Sequence, residues 1–295
     1  MKITTTGSLG NVGNPLVKLL VAAGHDVTVI SNNDGRKEVI QSSGARAAIG
    51  SVIDACFLTE AFSGADAVFT MTPSAMGVTN IIENIAAVGR TYAEAIRMAK
   101  VKRVVMLSSI GAHAAEGTGP VKAVYQVEKE LNKLPGVGLT ILRAGLFYYN
   151  FFRDIPVIKS MQLMGNNYGE DDQLPLAHPE DIAAAIATEL QSEVHGTAVK
   201  YIVSDIAGGK QIAAALGKAI GMPELPWVNI PDEQYTETML RAGVPPELAA
   251  LLTEMGQAVR LGTLTNDFFN TGATVTGSIK LGQFAQEFKN RYVKS

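Results

Sequence analysis

Gly7-Ser8-Leu9-Gly10-Asn11-Val12-Gly13 stands between a short β-prone run, Met1-Lys2-Ile3-Thr4-Thr5-Thr6, and Asn14-Pro15-Leu16-Val17-Lys18-Leu19-Leu20-Val21-Ala22-Ala23, whose apolar residues recur at helical spacing. Gly24 reads as the C-cap of that helix, and His25-Asp26-Val27-Thr28-Val29-Ile30-Ser31 resumes as β-rich sequence. Strand, glycine turn, helix and parallel strand form the first half of a dinucleotide-binding unit. Gly7 suits the tight turn, Gly10 a close approach of backbone to pyrophosphate, and Gly13 close packing of helix on strands. Free N–H groups at the helix start then face the phosphates. A glycine string alone is weak evidence; its place between a strand and a periodic helix gives it meaning.

The next loop, Asn32-Asn33-Asp34-Gly35-Arg36-Lys37, bears on which dinucleotide binds. An NAD site usually places an acid near the end of the second strand to hold the ribose hydroxyls. Ser31 and Asn32 carry no charge, whereas Arg36 and Lys37 follow closely, so NADP is favoured and NAD stays possible. Both cations also suit a solvated helix start. Asp34 is expected to cap that helix.

The chain has 295 residues, 47% hydrophobic and 18% charged, enough for one large domain or a core domain with a smaller lobe, and whole-chain disorder is excluded. Its formal charge of -3 gives nucleic-acid binding little electrostatic support. The single cysteine, Cys56, excludes an internal disulfide framework and is expected in the core. Four scattered histidines offer no metal-ligand spacing, and no G-x-S-x-G elbow supports a serine hydrolase. Strand sequence begins almost at Met1 and apolar runs are short, so the expectation is a cytoplasmic protein without signal peptide or membrane span.

Four further strands are expected over residues 45–50, 65–71, 102–109 and 137–143, with helices from Asp54 to Gly64, over 78–98 with Tyr92 in its buried stripe, and over 121–134. Together they predict an α/β fold: a Rossmann-type doubly wound parallel sheet with helices on both faces. Thr72-Pro73-Ser74-Ala75-Met76-Gly77 and Ser108-Ser109 follow strands, so they should line the ligand crevice. The serine hydroxyls suit either a bond to the bound ring or substrate, or simple strand termination. After Ala144 the pattern changes. Phe147-Tyr148-Tyr149-Asn150-Phe151-Phe152 and the acidic run Glu170-Asp171-Asp172 suggest a smaller, interleaved substrate lobe with an aromatic pocket. The expected division is a dinucleotide-binding core over 1–144 and a lobe over 145–295, with about 178–203 returning to the core. His178-Pro179-Glu180-Asp181 reads as a helix start, and further helices are expected over 210–219, 232–242, 246–260 and 281–292.

These pieces resemble the NmrA-like group of atypical short-chain dehydrogenase/reductases. The resemblance rests on the glycine turn, Gly64-Ala65-Asp66-Ala67-Val68-Phe69, Ser108-Ser109-Ile110-Gly111-Ala112, Leu142-Arg143-Ala144-Gly145 with the aromatics beyond it, and His178-Pro179-Glu180-Asp181-Ile182-Ala183, in that order over about residues 1–200. It implies either an NAD(P)H-dependent reductase, quinone reductase-like members included, or a dinucleotide-binding redox sensor without turnover. Two features depart from the reductase pattern: Ser51 stands where an acid near the adenine is usual, and the helix that often carries a catalytic Lys or His has two possible registers. Counted back from Arg143, Lys122 falls at the active-site lysine of extended short-chain dehydrogenases, with Thr118 where a tyrosine would stand. Aligned on quinone reductase-like members, the key position falls near Val124, beside Tyr125. Tyr125-Gln126-Val127-Glu128-Lys129 spells YxxxK but lies too close to Arg143 and is taken as accidental.

Hydride transfer to a carbonyl or quinone leaves negative charge on oxygen, so a proton or hydrogen-bond donor is needed there. Lys122 and Tyr125, three apart on one helix, are the catalytic candidates, with a solvated lysine and a packing tyrosine as the alternative. The dinucleotide is assigned to Gly7, Leu9, Gly10, Asn11, Val12, Gly13, Asn32, Arg36, Lys37, Thr72, Pro73, Ser108 and Ser109, and the substrate to Ile110, His113, Phe147, Tyr148 and Phe151. His113 with Glu116 could form a mobile acid or base; loop residues of this kind are also common on surfaces. The leading function is an NADPH-preferring reductase of a small apolar quinone or conjugated carbonyl, the runner-up a regulator that binds the dinucleotide and a protein. An isomerase or dehydratase with retained NAD is a third class the fold allows. A homodimer is expected from general base rates alone.

Overall fold

The computed structural model describes residues 1–73 and 79–295. The expected crevice residues 74–77 and the expected helix start at Val78 lie outside the described residues. Two compact units make up the chain. The first comprises residues 1–109, 123–143 and 182–200, the second residues 110–122, 144–181 and 201–295.

In chain order the first six strands and five helices are β1 (Lys2–Thr5), α1 (Gly13–Ala22), β2 (Asp26–Ser31), α2 (Lys37–Ser42), β3 (Arg46–Ile49), α3 (Ala55–Phe62), β4 (Ala67–Thr70), α4 (Ile81–Met98), β5 (Arg103–Ser109), α5 (Val121–Leu131) and β6 (Gly138–Ala144). β7 (Leu146–Phe147), α6 (Ile155–Met161), β8 (Met164–Asn166), β9 (Leu174–Ala177), α7 (Pro179–Leu190) and β10 (Thr197–Ile202) follow. The last elements are β11 (Asp205–Ala207), α8 (Gly209–Ala219), β12 (Trp227–Asn229), α9 (Asp232–Arg241), α10 (Pro246–Arg260), α11 (Asn266–Asn270) and α12 (Leu281–Lys294).

The main sheet has seven strands in the order β10-β6-β5-β4-β1-β2-β3. β1 pairs in parallel with both β2 and β4, so the sheet reverses its winding at β1. That reversal places the turn after β1 at the switch point where open α/β sheets bind ligands. The central strands are buried on both faces, as helix-covered parallel strands require: Val68, Phe69, Val104 and Val105 have no exposed surface. Tyr92 is buried as its helical stripe predicts, and its hydroxyl donates to the Met71 carbonyl at 2.9 Å. Burial pushes the Tyr92 phenol up to about 12, against the opposing hydrogen bond with Thr6.

Arg103, one residue into β5, is the buried cation of the opposite strand end. Burial lowers its pKa, opposed by Glu189. Its guanidinium donates to the carbonyls of Gly138, Glu189 and Ser192 and to the Thr140 hydroxyl. These bonds tie β5 and β6 to the end of α7.

Two sequence expectations are corrected in this unit. Asp34 does not cap the helix after β2: α2 starts without a side-chain cap, and it is Asn33 that caps the single 3-10 turn Asp34–Arg36 before it, its side chain accepting from the Gly35 N–H at 2.9 Å. The amide side chain is one residue closer to the strand and reaches the N–H two residues on, an Asx turn. Cys56 is exposed rather than buried. Asp54 caps α3 through the Phe57 N–H, and the resulting phase turns Leu58 and Phe62 inward.

The second unit is built around Tyr148, Phe151, Leu216, Phe284 and Phe288, with α12 packed on α8. Tyr148 stacks on Phe284 at 4.9 Å between ring centroids. Stacking and ring burial explain why the chain's aromatics gather here. The sequence carried no signal for β7, β8, β9, β11 and α11, which are two to five residues long. Asp154, half-buried beside this core, has its carboxyl pushed up to about 7 by burial, against the pull of Arg153.

Two measurements follow. Asp154 binds its proton more tightly folded than unfolded, so stability falls as pH rises from about 4 to about 7. Asp154→Asn should flatten that decline in urea melts recorded across the window. A Cβ at residue 13 would meet the Ser8 carbonyl oxygen at 1.9 Å, so Gly13→Ala should cost about 1–3 kcal/mol in thermal denaturation.

Candidate functional site

The turn after β1 has two consecutive residues in the left-handed region, Gly7 at φ +88° and Ser8 at φ +51°. A Cβ on Gly7 would lie 2.2 Å from the Met71 sulfur. Gly13 approaches the Ser8 carbonyl of the same turn, a tighter reason for glycine than the expected packing on strands. Gly10 is exposed, and a Cβ there would meet nothing nearer than the Gly7 carbonyl at 3.7 Å. Backbone there is open to a ligand that a side chain would obstruct.

α1 begins without a side-chain cap and without an acid in its first turn. Its positive end is therefore available to an anion. The Ser8 hydroxyl is buried and has no hydrogen-bond partner among the described residues. An orphaned donor, an uncapped ten-residue helix and a cradle that a Cβ would fill all suit a pyrophosphate. Of the other turn residues, Asn11 is exposed, Leu9 half-buried and Val12 buried, so Val12 can offer only its backbone N–H.

At the end of β2, Asn32, Arg36 and Lys37 are all exposed, and neither cation forms an ion pair with a described residue. Buried Ser31 accepts from the Asn33 N–H at 3.2 Å, which fixes the turn that presents them. At the end of β4, the Met71 N–H donates to the Thr6 hydroxyl at 2.9 Å, and Tyr92 holds the Met71 carbonyl. The same strand end thus leads straight into half-buried Thr72 and exposed Pro73.

At the end of β5, the Ser108 hydroxyl donates to the Glu128 carboxylate. Arg143 clamps that carboxylate with two bonds, Nε at 3.1 Å and Nη2 at 2.7 Å. All three side chains are buried. Ser108 is therefore committed to the protein, while Ser109 is half-buried at the strand terminus. Glu128 was missed because it reads as one charge on an amphipathic helix. Its signal was Arg143 at the end of an apolar strand, where a buried cation needs a carboxylate. Lys129, the last residue of the YxxxK spelling, is exposed, and Tyr125 is half-buried.

The boundary between the units falls within α5, after Lys122. In the second unit the Lys122 ammonium is 3.2 Å from the Glu254 carboxylate on α10 and 3.8 Å from Glu116. The expected association of His113 with Glu116 is corrected: Glu116 pairs with Lys122, whereas His113 Nδ1 is 3.9 Å from Asp267 on α11. The Tyr201 hydroxyl donates to the same Asp267 oxygen. Sequence reasoning could not find Asp267, since five residues of α11 carry no readable period.

The assigned substrate residues differ in what they expose. Tyr148, Phe151 and Ile110 are core residues, and Phe147 is half-buried. His178 defines the start of α7, as its sequence position suggests: Nδ1 accepts from the Glu180 N–H at 3.2 Å, and Nε2 is 3.1 Å from Glu287. Among the described residues, no group of histidines, cysteines and acids could hold a metal ion.

Residues 1–269 match the NmrA-like family. No curated protein matches the sequence. The fold is similar to that of the NADPH-dependent quinone oxidoreductase of Escherichia coli in complex with NADPH, at 21% identity and a TM-score of 0.81 over 97% of this chain and 99% of that one. The NADP(H) complex of triphenylmethane reductase from Citrobacter sp. gives 19% identity and a TM-score of 0.79, covering 97% and 99%. UDP-glucose 4-epimerase from Bifidobacterium longum, with NAD+ and UDP, gives 15% and 0.63, covering 89% and 100%.

Removing Glu128 alone would strand the Arg143 charge in the interior. Glu128→Ala should cost about 3–5 kcal/mol in urea denaturation, and adding Arg143→Met should recover much of that loss.

Proposed function

The chain belongs to the NmrA-like family, and on that premise we propose that it is an NADPH-preferring reductase that delivers hydride to a quinone or another small apolar conjugated carbonyl. The observation that carries this reading is the uncapped glycine cradle after β1, with two exposed cations, Arg36 and Lys37, at the end of the neighbouring strand. The activities of the similar quinone and triphenylmethane reductases support it.

In this reading the backbone of residues 7–13 and the Ser8 hydroxyl hold the pyrophosphate. Arg36 and Lys37 face the phosphate on the adenosine ribose, with Asn32 beside them. Thr72, Pro73 and Ser109 border the nicotinamide end, and the Glu128 clamp keeps Ser108 and the end of β5 in place. The bound reduced dinucleotide supplies hydride. The chain's own task is to orient the acceptor and meet the negative charge on its oxygen. Lys122 and Tyr125 on α5 are the proposed donors there, and Glu254 fixes the direction of the Lys122 ammonium. His113 and Phe147 provide the partly exposed substrate surface, with Ile110, Tyr148 and Phe151 supporting it from the core. A quinone takes up hydride readily, so positioning can supply much of the rate. Among the described residues no helix is long and apolar enough to cross a membrane. We place the protein in the cytoplasm on this reading.

Titration with NADPH and NADH, followed by a panel of quinones and enals at the absorbance of the reduced cofactor, tests the proposal. NADPH should bind more tightly than NADH and be consumed with an acceptor. Tight binding without consumption would replace the reductase with the regulatory reading, and no binding would overturn both. Arg36→Ala with Lys37→Ala should weaken NADPH about tenfold and leave NADH unchanged. Lys122→Ala with Tyr125→Phe should lower turnover roughly 100-fold at constant NADPH affinity.

A further inference from the structure

The turn after β1 packs against a sulfur atom. Among the described residues, the Met71 side chain, one residue past the end of β4, comes nearest to where a side chain at Gly7 would begin: a Cβ there would lie 2.2 Å from Sδ and 2.7 Å from Cγ. At that contact Gly7, at φ +88°, and Ser8, at φ +51°, take the backbone through two successive left-handed residues.

The main chain on both sides of the contact is latched. The Thr6 N–H donates to the Phe69 carbonyl at 3.0 Å, and the Met71 N–H donates to the Thr6 hydroxyl at 2.9 Å. The Met71 carbonyl accepts from the Tyr92 hydroxyl at 2.9 Å and from the Thr6 hydroxyl at 3.4 Å. Neither strand end can retreat from the other without breaking these bonds. The room between sulfur and turn is therefore set by the sheet, and every group that sets it belongs to the first unit.

A thioether packs as an apolar group until it is oxidised, when it becomes a polar, chiral sulfoxide. Phe69, two residues earlier, is fully covered, whereas Met71 is half-buried and keeps part of its surface exposed. We propose that Met71 is an oxidation site that governs dinucleotide binding: conversion of its thioether to the sulfoxide by hydrogen peroxide disables the turn. The proposal rests on the reading of that turn as the pyrophosphate site. In the reaction the sulfur attacks one peroxide oxygen, the S–O bond forms as the O–O bond breaks, and water leaves. Sulfur loses two electrons, the peroxide gains them, and no proton is taken up or released overall. An oxygen added on the Gly7 side collides with a turn that has no slack. As a hydrogen-bond acceptor it also competes for the backbone N–H groups that a pyrophosphate needs.

The test treats the purified protein with hydrogen peroxide in steps and follows the oxidation of each methionine by peptide mass spectrometry. NADPH affinity is measured by fluorescence at each step, after dithiothreitol has returned any oxidised Cys56 to the thiol. Met98 and Met161, with 55% and 63% of their surface exposed, serve as internal controls. Affinity should fall roughly tenfold in proportion to the oxidised fraction of Met71, and not to that of Met98 or Met161. Met71→Leu keeps an apolar side chain of similar volume, so the same treatment should change its affinity less than about twofold from its own untreated value. Should that variant fold poorly, the comparison among the three methionines of the wild type still decides. Met71 left unoxidised while Met98 and Met161 react, an affinity unchanged by complete oxidation of Met71, or an equal loss in Met71→Leu would each overturn the proposal. Failure of the untreated protein to bind NADPH would instead remove the pyrophosphate reading beneath it.

Discussion

A peptide carbonyl, that of Ser8, sits where the first carbon of any side chain at residue 13 would have to be. That approach closes the turn after β1 and sets where α1 begins. With the helix start fixed, Leu16, Val17 and Leu20 fall on its buried face. The start of the helix, which has no side-chain cap, lies at the point where the sheet reverses its winding. Fold and anion cradle thus share one steric constraint, and a sequence that met it for the helix met most of the requirement for a phosphate.

Buried charge is the second constraint, and it organises the two ends of the same strand. Arg103 near the start of β5 is saturated by backbone carbonyls, which hold the strand in register with its neighbours. Glu128, reached from the Ser108 and Arg143 side chains at the ends of β5 and β6, is saturated by charge and hydroxyl together. Both arrangements satisfy ions in an apolar sheet, where an unpaired one would be costly. One fixes structure away from the ligand edge, and the other fixes the shape of that edge.

The sheet was legible because each of its elements is long enough to display a period or is bounded by a glycine or proline. β1 to β6 and α1 to α5 are of this kind, as are α7 to α10 and α12. The second unit was less legible since its short strands and α11 are specified by contacts remote in sequence, such as Asp205 opposite Leu176. The same limit governed the site. The glycine cradle is local and could be read directly. Glu128 with Arg143, Lys122 with Glu254 and His113 with Asp267 join residues 15, 132 and 154 positions apart, and no local pattern announces such pairs. Cys56 shows the converse error: apolar neighbours suggested burial, but the Asp54 cap sets the helix phase and turns the thiol outward.

That outward thiol gives the protein a chemical address of its own. Cys56 is the chain's single sulfhydryl and lies at the start of α3 in the first unit. A maleimide dye or nitroxide would attach at one position without prior mutagenesis, and the label would report on a helix that flanks the seven-stranded sheet. The same exposure means that air oxidation can join two chains through one covalent bond. Sizing experiments on this protein therefore need a reductant, since a dimer linked at Cys56 has the same mass as any non-covalent pair would have.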